Sequence, residues 1–206
     1  MSVSSDYYRE QLHNKRAVSI GFLKKFARSI DVDIFDKIYS RQTLFFTAKK
    51  RRVRLPKEVS NDLAYFYGYL QGDGCLTLDK KGVVFSDEYL EQMERINELS
   101  GKLFGFHGKI YPKMSKISLK PSYQIEIKSV VLNSFFYHVM GINRGIKKNL
   151  KITELLMHDD IILKSYFSGL FDVDGTLPKN PEKAKQLFID LTMKDEKFIH
   201  SIENFD

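Results

Sequence analysis

Two stretches of the chain place a carboxylate directly before a glycine at the end of an apolar run, FYGYLQGDG at 66–74 and FSGLFDVDG at 167–175. Each run reads as a helix, which puts Asp73 and Asp174 at helix C-termini. The helix dipole is negative there and disfavours a carboxylate by a few tenths to about 1 kcal/mol. The placement, made twice, makes sense if a divalent cation sits between the two side chains. Hard oxygen donors of this kind suit Mg2+ or Mn2+. Gly72 and Val173, the residues just before the carboxylates, complete the expected metal-binding set. Carboxylates that hold a cation against a phosphate can activate water and stabilise the leaving oxygen. Gly68 and Gly72 are four apart, as are Gly169 and Val173, so each helix has a slim face. Gly68, Gly72 and Gly169 are therefore expected to let the two helices pack closely, and Gly74 and Gly175 to end them.

The elements that must position these residues come in a repeating order. A helix is expected over 55–74, with Pro56 at its start. A β-hairpin follows over 75–87, with its turn at Lys81-Gly82. Next come an amphipathic helix at 88–105, two strands within 107–129 and a helix at 130–142. The order then restarts with a helix at 152–175, a strand at 186–193 and a helix from 195. VVFSDEYLEQMERINEL (83–99) and FIDLTMKDEKFIHSIENF (188–205) share one strand-to-acidic-turn-to-helix character. The period is roughly 100 residues, and the second copy stops partway. Upstream, SIGFLKKFARSI (19–30) reads as a helix and DIFDKIYS (33–40) as a second. The pair fits the end of a helix-turn-helix or an ordinary helical hairpin. RQTLFFTAKKRRVRLP (41–56) joins a strand-like stretch to a basic run. The expected divisions are a helical, basic segment at 1–54, a first repeat at 55–150 and a partial second repeat at 151–206, in an α+β chain.

The chain has 206 residues and a net charge of +7, distributed unevenly. Residues 41–57 hold seven basic and no acidic side chains, and residues 101–151 hold ten basic and one acidic. A polyanion is the natural partner of such segments. The compact run supplies Lys49, Lys50, Arg51, Arg52 and Arg54. The dispersed one supplies Lys109, Lys113, Lys116, Lys120 and Lys128, on or around two expected strands. A β-ribbon can enter the DNA major groove with lysines on phosphates, where Tyr111, Tyr123 and Gln124 would reach bases. Apolar residues make up 43%, enough for a core. The single cysteine, Cys75, excludes an internal disulfide framework and fits a reducing, intracellular setting. No apolar run approaches the roughly 18 residues of a membrane span, and the first residues lack the apolar stretch of a signal peptide.

FYGYLQGDG and FSGLFDVDG resemble the two signature motifs of the LAGLIDADG homing endonucleases. The second matches in its Gly, Leu, Asp, Asp and Gly positions. The first keeps Gly68, Asp73 and Gly74, with Gln71 where the family often has Asp. The run-in LPKEVSNDLAYF is similar to that of archaeal and intein-type members, so that the resemblance covers about residues 55 to 206. It implies a prokaryotic or archaeal origin and a fold of αββαββα repeats with saddle-shaped antiparallel sheets, here with the second repeat truncated. It further implies a monomeric two-motif chain that makes a double-strand break in a long DNA site. Asp73 and Asp174 would be the metal-binding catalytic pair. Lys147 or Lys148 would be the basic active-site residue, and Ser86 or Thr192 would orient water.

Other readings carry different expectations. LFDVDGTL (170–177) also fits the DxDGT nucleophile motif of haloacid-dehalogenase-type phosphatases, with Asp172 as nucleophile. That motif needs a preceding strand and does not explain the first GDG copy. On the same LAGLIDADG fold, a non-cleaving DNA-binding protein or an RNA maturase is the alternative to an endonuclease.

Overall fold

The structure is a computed structural model that describes residues 19–30, 44–46, 51–114, 121–146, 150, 152–176 and 190–191. The chain divides into two compact units, Met1–Gln42 and Thr43–Asp206. In the first, helix α1 spans Ile20–Ile30, and the Ser19 hydroxyl accepts from Phe22 N at 3.1 Å. The expected helix at 33–40 lies outside the described residues.

The second unit opens with an antiparallel hairpin of β1 (Leu44–Phe46) and β2 (Arg52–Arg54), with Phe45 opposite Val53. The basic run thus belongs to the larger unit. Helix α2 (Asn61–Gly72) begins later than Pro56. Ser60 stops it from extending backwards: its hydroxyl accepts from Leu63 N at 3.2 Å and satisfies a first-turn donor. A run of nine residues from Leu63 to Gln71 is buried, so α2 is a central helix rather than an amphipathic one.

Around α2 the order is β3 (Cys75–Leu76), β4 (Val83–Asp87), α3 (Leu90–Phe104), β5 (Lys109–Met114), β6 (Pro121–Ile127) and α4 (Val130–His138). This is one αββαββα unit. Its strands form an antiparallel sheet in the order β3-β4-β6-β5. Val83, Phe85, Ile125 and Ile127 are fully buried and share one face. Phe66 packs at their centre, 5.2 Å from Phe85, 5.4 Å from Phe104 and 5.7 Å from Phe136. α4 stops at His138, short of 142, and the chain reverses through Gly141 at φ 81°, a conformation open to glycine at no steric cost.

The helix expected at 152–175 is two elements. A 3-10 turn at Glu154–Leu156 precedes α5 (Asp160–Asp174). Asp159 separates them, accepting from Ile161 N at 2.7 Å and Ile162 N at 3.3 Å. β7 (Gly175–Thr176) and β8 (Asp190–Leu191) then pair antiparallel. A helix followed by an antiparallel strand pair thus occurs here as in α2, β3 and β4, and the expected helix from 195 lies outside the described residues.

Candidate nuclease site

α2 and α5 pack against one another through reciprocal contacts. A Cβ added to Gly68 would run into the Tyr166 carbonyl oxygen and lie 3.0 Å from Leu170 N. A Cβ added to Gly169 would run into the Tyr65 carbonyl oxygen and lie 3.0 Å from Tyr69 N. Tyr65 and Tyr69 stand relative to Gly68 as Tyr166 and Leu170 stand relative to Gly169. The helices therefore run side by side in the same direction, related by a local two-fold. At their C-terminal ends Val173 fills the space that a Gly72 side chain would need, and Asp174 Oδ2 is 3.1 Å from that position. The slim faces are real, and they meet at glycines because backbone touches backbone.

The same pseudo-symmetry governs the polar contacts. The Tyr65 hydroxyl donates to Asp172 Oδ2 at 2.5 Å, and the Tyr166 hydroxyl donates to Gln71 Oε1 at 2.5 Å. Asp172 and Gln71 occupy equivalent positions, yet their surroundings differ. Gln71 is 2% exposed. Its amide Nε2 also donates to the Tyr67 hydroxyl at 3.1 Å, and Tyr67 donates in turn to the Met140 carbonyl at 2.9 Å. Asp172 lies at the surface, 3.5 Å from the Arg95 guanidinium, which sits 4.6 Å above the Tyr65 ring. A buried carboxylate at position 71 would lack such a counter-charge. This is the physical reason for a glutamine in the first motif. Burial raises the Tyr67 and Tyr166 hydroxyls well above their ordinary pKa, and burial with the bond to Asp172 does the same for Tyr65.

Asp73 is the C-cap of α2 and is exposed; Asp174 is the last residue of α5. Side-by-side packing brings both carboxylates to one end of the helix pair. Among the described residues no group of three or more His, Cys, Asp or Glu gathers there. The donor set fits Mg2+ nonetheless, because that ion keeps several waters and binds through one or two carboxylates. The missing side chain at Gly72 lets Val173 and the Asp174 carboxylate approach α2 closely. Gly74 and Gly175 follow the helices without adopting left-handed backbone: Gly175 has φ −80°. They are needed for space instead. A Cβ on Gly74 would press on Leu70 and on Phe85 at 2.9 Å, and one on Gly175 would meet Phe171. Tyr69, beside Asp73, donates to Asp87 Oδ2 at 2.6 Å. Asp172 and Asp174 lie on a helix, so LFDVDGTL does not form the strand-borne nucleophile of a phosphatase.

The sheet register assigns the other candidates to faces. Residues paired across strands share a face. Cys75, Val84, Glu126 and Lys109 form one row, Ser86, Gln124 and Tyr111 the next, and Ser122 and Lys113 the third. These rows cover the face turned away from the Phe66 core. The first row begins two residues after Asp73. Tyr123 pairs with Asp87 and Pro112 and falls on the opposite face, with Ile125 and Ile127. Lys128 is 3.2 Å from Glu126. Arg51, Arg52 and Arg54 are exposed on or beside β2. Lys49, Lys50, Lys116, Lys120, Lys147, Lys148 and Thr192 lie outside the described residues.

Sequence reasoning passed over Tyr65, Tyr166 and Arg144. The tyrosines left a signal: Tyr-Phe-x-Gly precedes both motifs, one residue ahead of the stretch that attracts attention. Arg144 left none. Its Nε donates to Asn133 Oδ1 at 2.7 Å and its guanidinium sits 3.8 Å above the Tyr137 ring. Arg144 bridges to Leu76, and Gly145 N donates to the Leu76 carbonyl at 2.8 Å. A groove of about 510 Å³ between Asn61, Arg95, Lys102 and Ser165 lies at the start of α2, away from Asp73. Both signs of charge line it, and Lys102 pairs with Asp62 at 2.5 Å.

Comparison with known proteins agrees with this architecture. The chain is 30% identical over 132 residues to an A-type ATP synthase subunit of Pyrococcus abyssi, a match covering 63% of this chain and 12% of that protein. It is 39% identical over 62 residues to the protein of the same name from Pyrococcus horikoshii, covering 30% of this chain and 6% of that one. Residues 60–150 match the family described as the LAGLIDADG-like domain. That span runs from the cap of α2 past the end of α4 and takes in the whole αββαββα unit. Residues 60–150 of the chain thus form a LAGLIDADG-like domain.

Proposed function

We propose that the protein is a divalent-metal-dependent endonuclease that cuts both strands of a long duplex DNA site. The observation that carries this reading is the pairing of α2 with α5, which puts Asp73 and Asp174 at the same end of two helices related by a local two-fold. The strands of duplex DNA are related in the same way, so each carboxylate faces one scissile phosphate. Asp73 and Asp174 would hold Mg2+ or Mn2+, helped by main-chain oxygens of Gly72 and Val173. Bound there, the cation supplies an activated water and charge stabilisation at the leaving oxygen. Lys147 or Lys148 would meet the developing negative charge, as the family resemblance implies. The rows of the sheet face would lie in the major groove. Lys109 and Lys113 grip phosphates, while Tyr111, Gln124 and Ser86 face base edges. Because both motif helices come from one chain, a monomer suffices.

The stretch shared with the Pyrococcus proteins occupies a small part of each. This fits a mobile segment carried within a longer host chain better than a shared ATP-synthase activity. The GxxxxGK[ST] run of a nucleotide-binding loop is nowhere in the 206 residues. The experiment is selection of cut molecules from a pool of plasmids with randomised inserts, with Mg2+ present. Asp73→Asn or Asp174→Asn should lower the cleavage rate at least ~100-fold and leave DNA binding in place. A wild-type chain that binds its selected duplex and never cuts it would replace this reading with a non-cleaving binder.

A further inference from the structure

We propose that strand β2 is a second phosphate-binding site, separate from the sheet face, that holds the backbone of duplex DNA regardless of sequence. The proposal rests on DNA being the ligand of this domain. Residues 41–57 carry seven basic side chains and no acidic one, a density that a short hairpin does not need in order to fold. Strand β2 is nonetheless anchored in the core. Val53 is fully buried and Leu55 is 2% exposed. β2 packs against α3, and the Arg51 guanidinium lies 5.9 Å from the centre of the Phe106 ring. With Val53 turned inward, strand alternation turns Arg52 and Arg54 outward on one side, and both are exposed.

Ion pairs elsewhere use Lys81, Arg95, Lys102 and Lys128. Among the described residues neither Arg52 nor Arg54 has an acidic partner. Two such arginines on a fixed strand match phosphate oxygens, which the guanidinium can engage in bidentate fashion. Phe106 stands at the corner where α3 leads into β5, the edge strand that carries the exposed Lys109 and Lys113. β2 therefore lies near the start of that edge strand. It lies off the rows that face base edges, so its contacts carry affinity and no sequence information.

The test is fluorescence anisotropy of a duplex of arbitrary sequence against a salt series. It compares wild type, the double variant Arg52→Gln/Arg54→Gln and the double variant Arg52→Lys/Arg54→Lys. Each phosphate contact contributes about 0.9 to the slope of log affinity against log salt. The Gln pair should therefore reduce the slope by about 1.8, and the Lys pair should keep it. Both pairs should melt at the wild-type temperature, since the side chains are exposed. A Gln pair with the wild-type slope would overturn the proposal and leave the nuclease reading intact. A slope reduced by the Gln pair in a chain that cuts no DNA would support the proposal while removing the nuclease reading. A wild-type chain with no affinity for any duplex would overturn both.

Discussion

Tyr166 and Tyr65 make the same bond in different surroundings, and the difference sets what each is worth. Tyr166 and Gln71 are both sealed from water, so Tyr166→Phe would remove a hydrogen bond between two buried groups. Losing one partner of a buried polar pair costs about 1–3 kcal/mol. Tyr65→Phe removes a bond to a carboxylate that keeps Arg95 and water, and should cost less than about 1 kcal/mol. Urea unfolding of the two variants should rank them in that order. Adding Gln71→Leu to Tyr166→Phe should cost less than the sum of the two single changes, because both single changes remove the same hydrogen bond. Asp73 and Asp174 stand out in the sequence because a carboxylate at a helix C-terminus needs a reason. The tyrosine bonds do not stand out. A tyrosine on an apolar helix looks like core, and only the packed pair shows what its hydroxyl touches.

At the scale of elements, the α2–α5 contact is the most sensitive point. Gly68→Ala would push a methyl into the Tyr166 carbonyl, and backbone cannot swing aside as a side chain can. The expected loss is about 3 kcal/mol, the upper end for overpacking, seen as a lower urea midpoint with unchanged slope. A second contact point is the segment beside β3. Asn133 is fully buried and its amide donates to Gly82 O at 2.8 Å, so Arg144 is the partner its own oxygen relies on. Arg144→Met should cost about 1–3 kcal/mol. Amide exchange should also speed up at Gly145, whose N–H bonds Leu76 across that seam, more than at Ile125 in the sheet centre. Most elements were readable in order and type because their periodicities are strong. What failed were starts and stops. Ser60 and Asp159 override the Pro56 start and the continuous 152–175 helix through single side-chain caps, a local effect that apolar spacing does not register. Which face Tyr123 takes depended on register, which is set by pairing with Asp87 and Pro112 across two other strands.

For the whole molecule, the αββαββα order of residues 61–138 could be read because each element carries its own periodicity, and the glycine-bearing helix recurs at α5. The asymmetry between the copies could not be read, since it depends on which flank of the helix pair is sealed. That sealed flank gives the protein a pH limit. Tyr67 and Tyr166 lie with their rings 5.8 Å apart around Gln71, and burial holds both hydroxyls protonated far above their ordinary range. The unfolded chain releases these protons above about pH 10, while the folded chain keeps them. Stability from this pair is therefore fully present at neutral pH and below, and falls once the pH passes about 10, by up to about 1.4 kcal/mol per pH unit for each phenol. Tyr67→Phe should be less stable at neutral pH, having lost its bond to Met140, yet its stability should fall less steeply in alkali. Ultraviolet titration checks the same point. In the wild type some of the eleven tyrosines should ionise reversibly, and the buried ones only in step with unfolding followed by circular dichroism. Reversible ionisation of all eleven with the fold intact would mean that the α2–α5 seam admits water, and the tightness inferred from its glycines would be wrong.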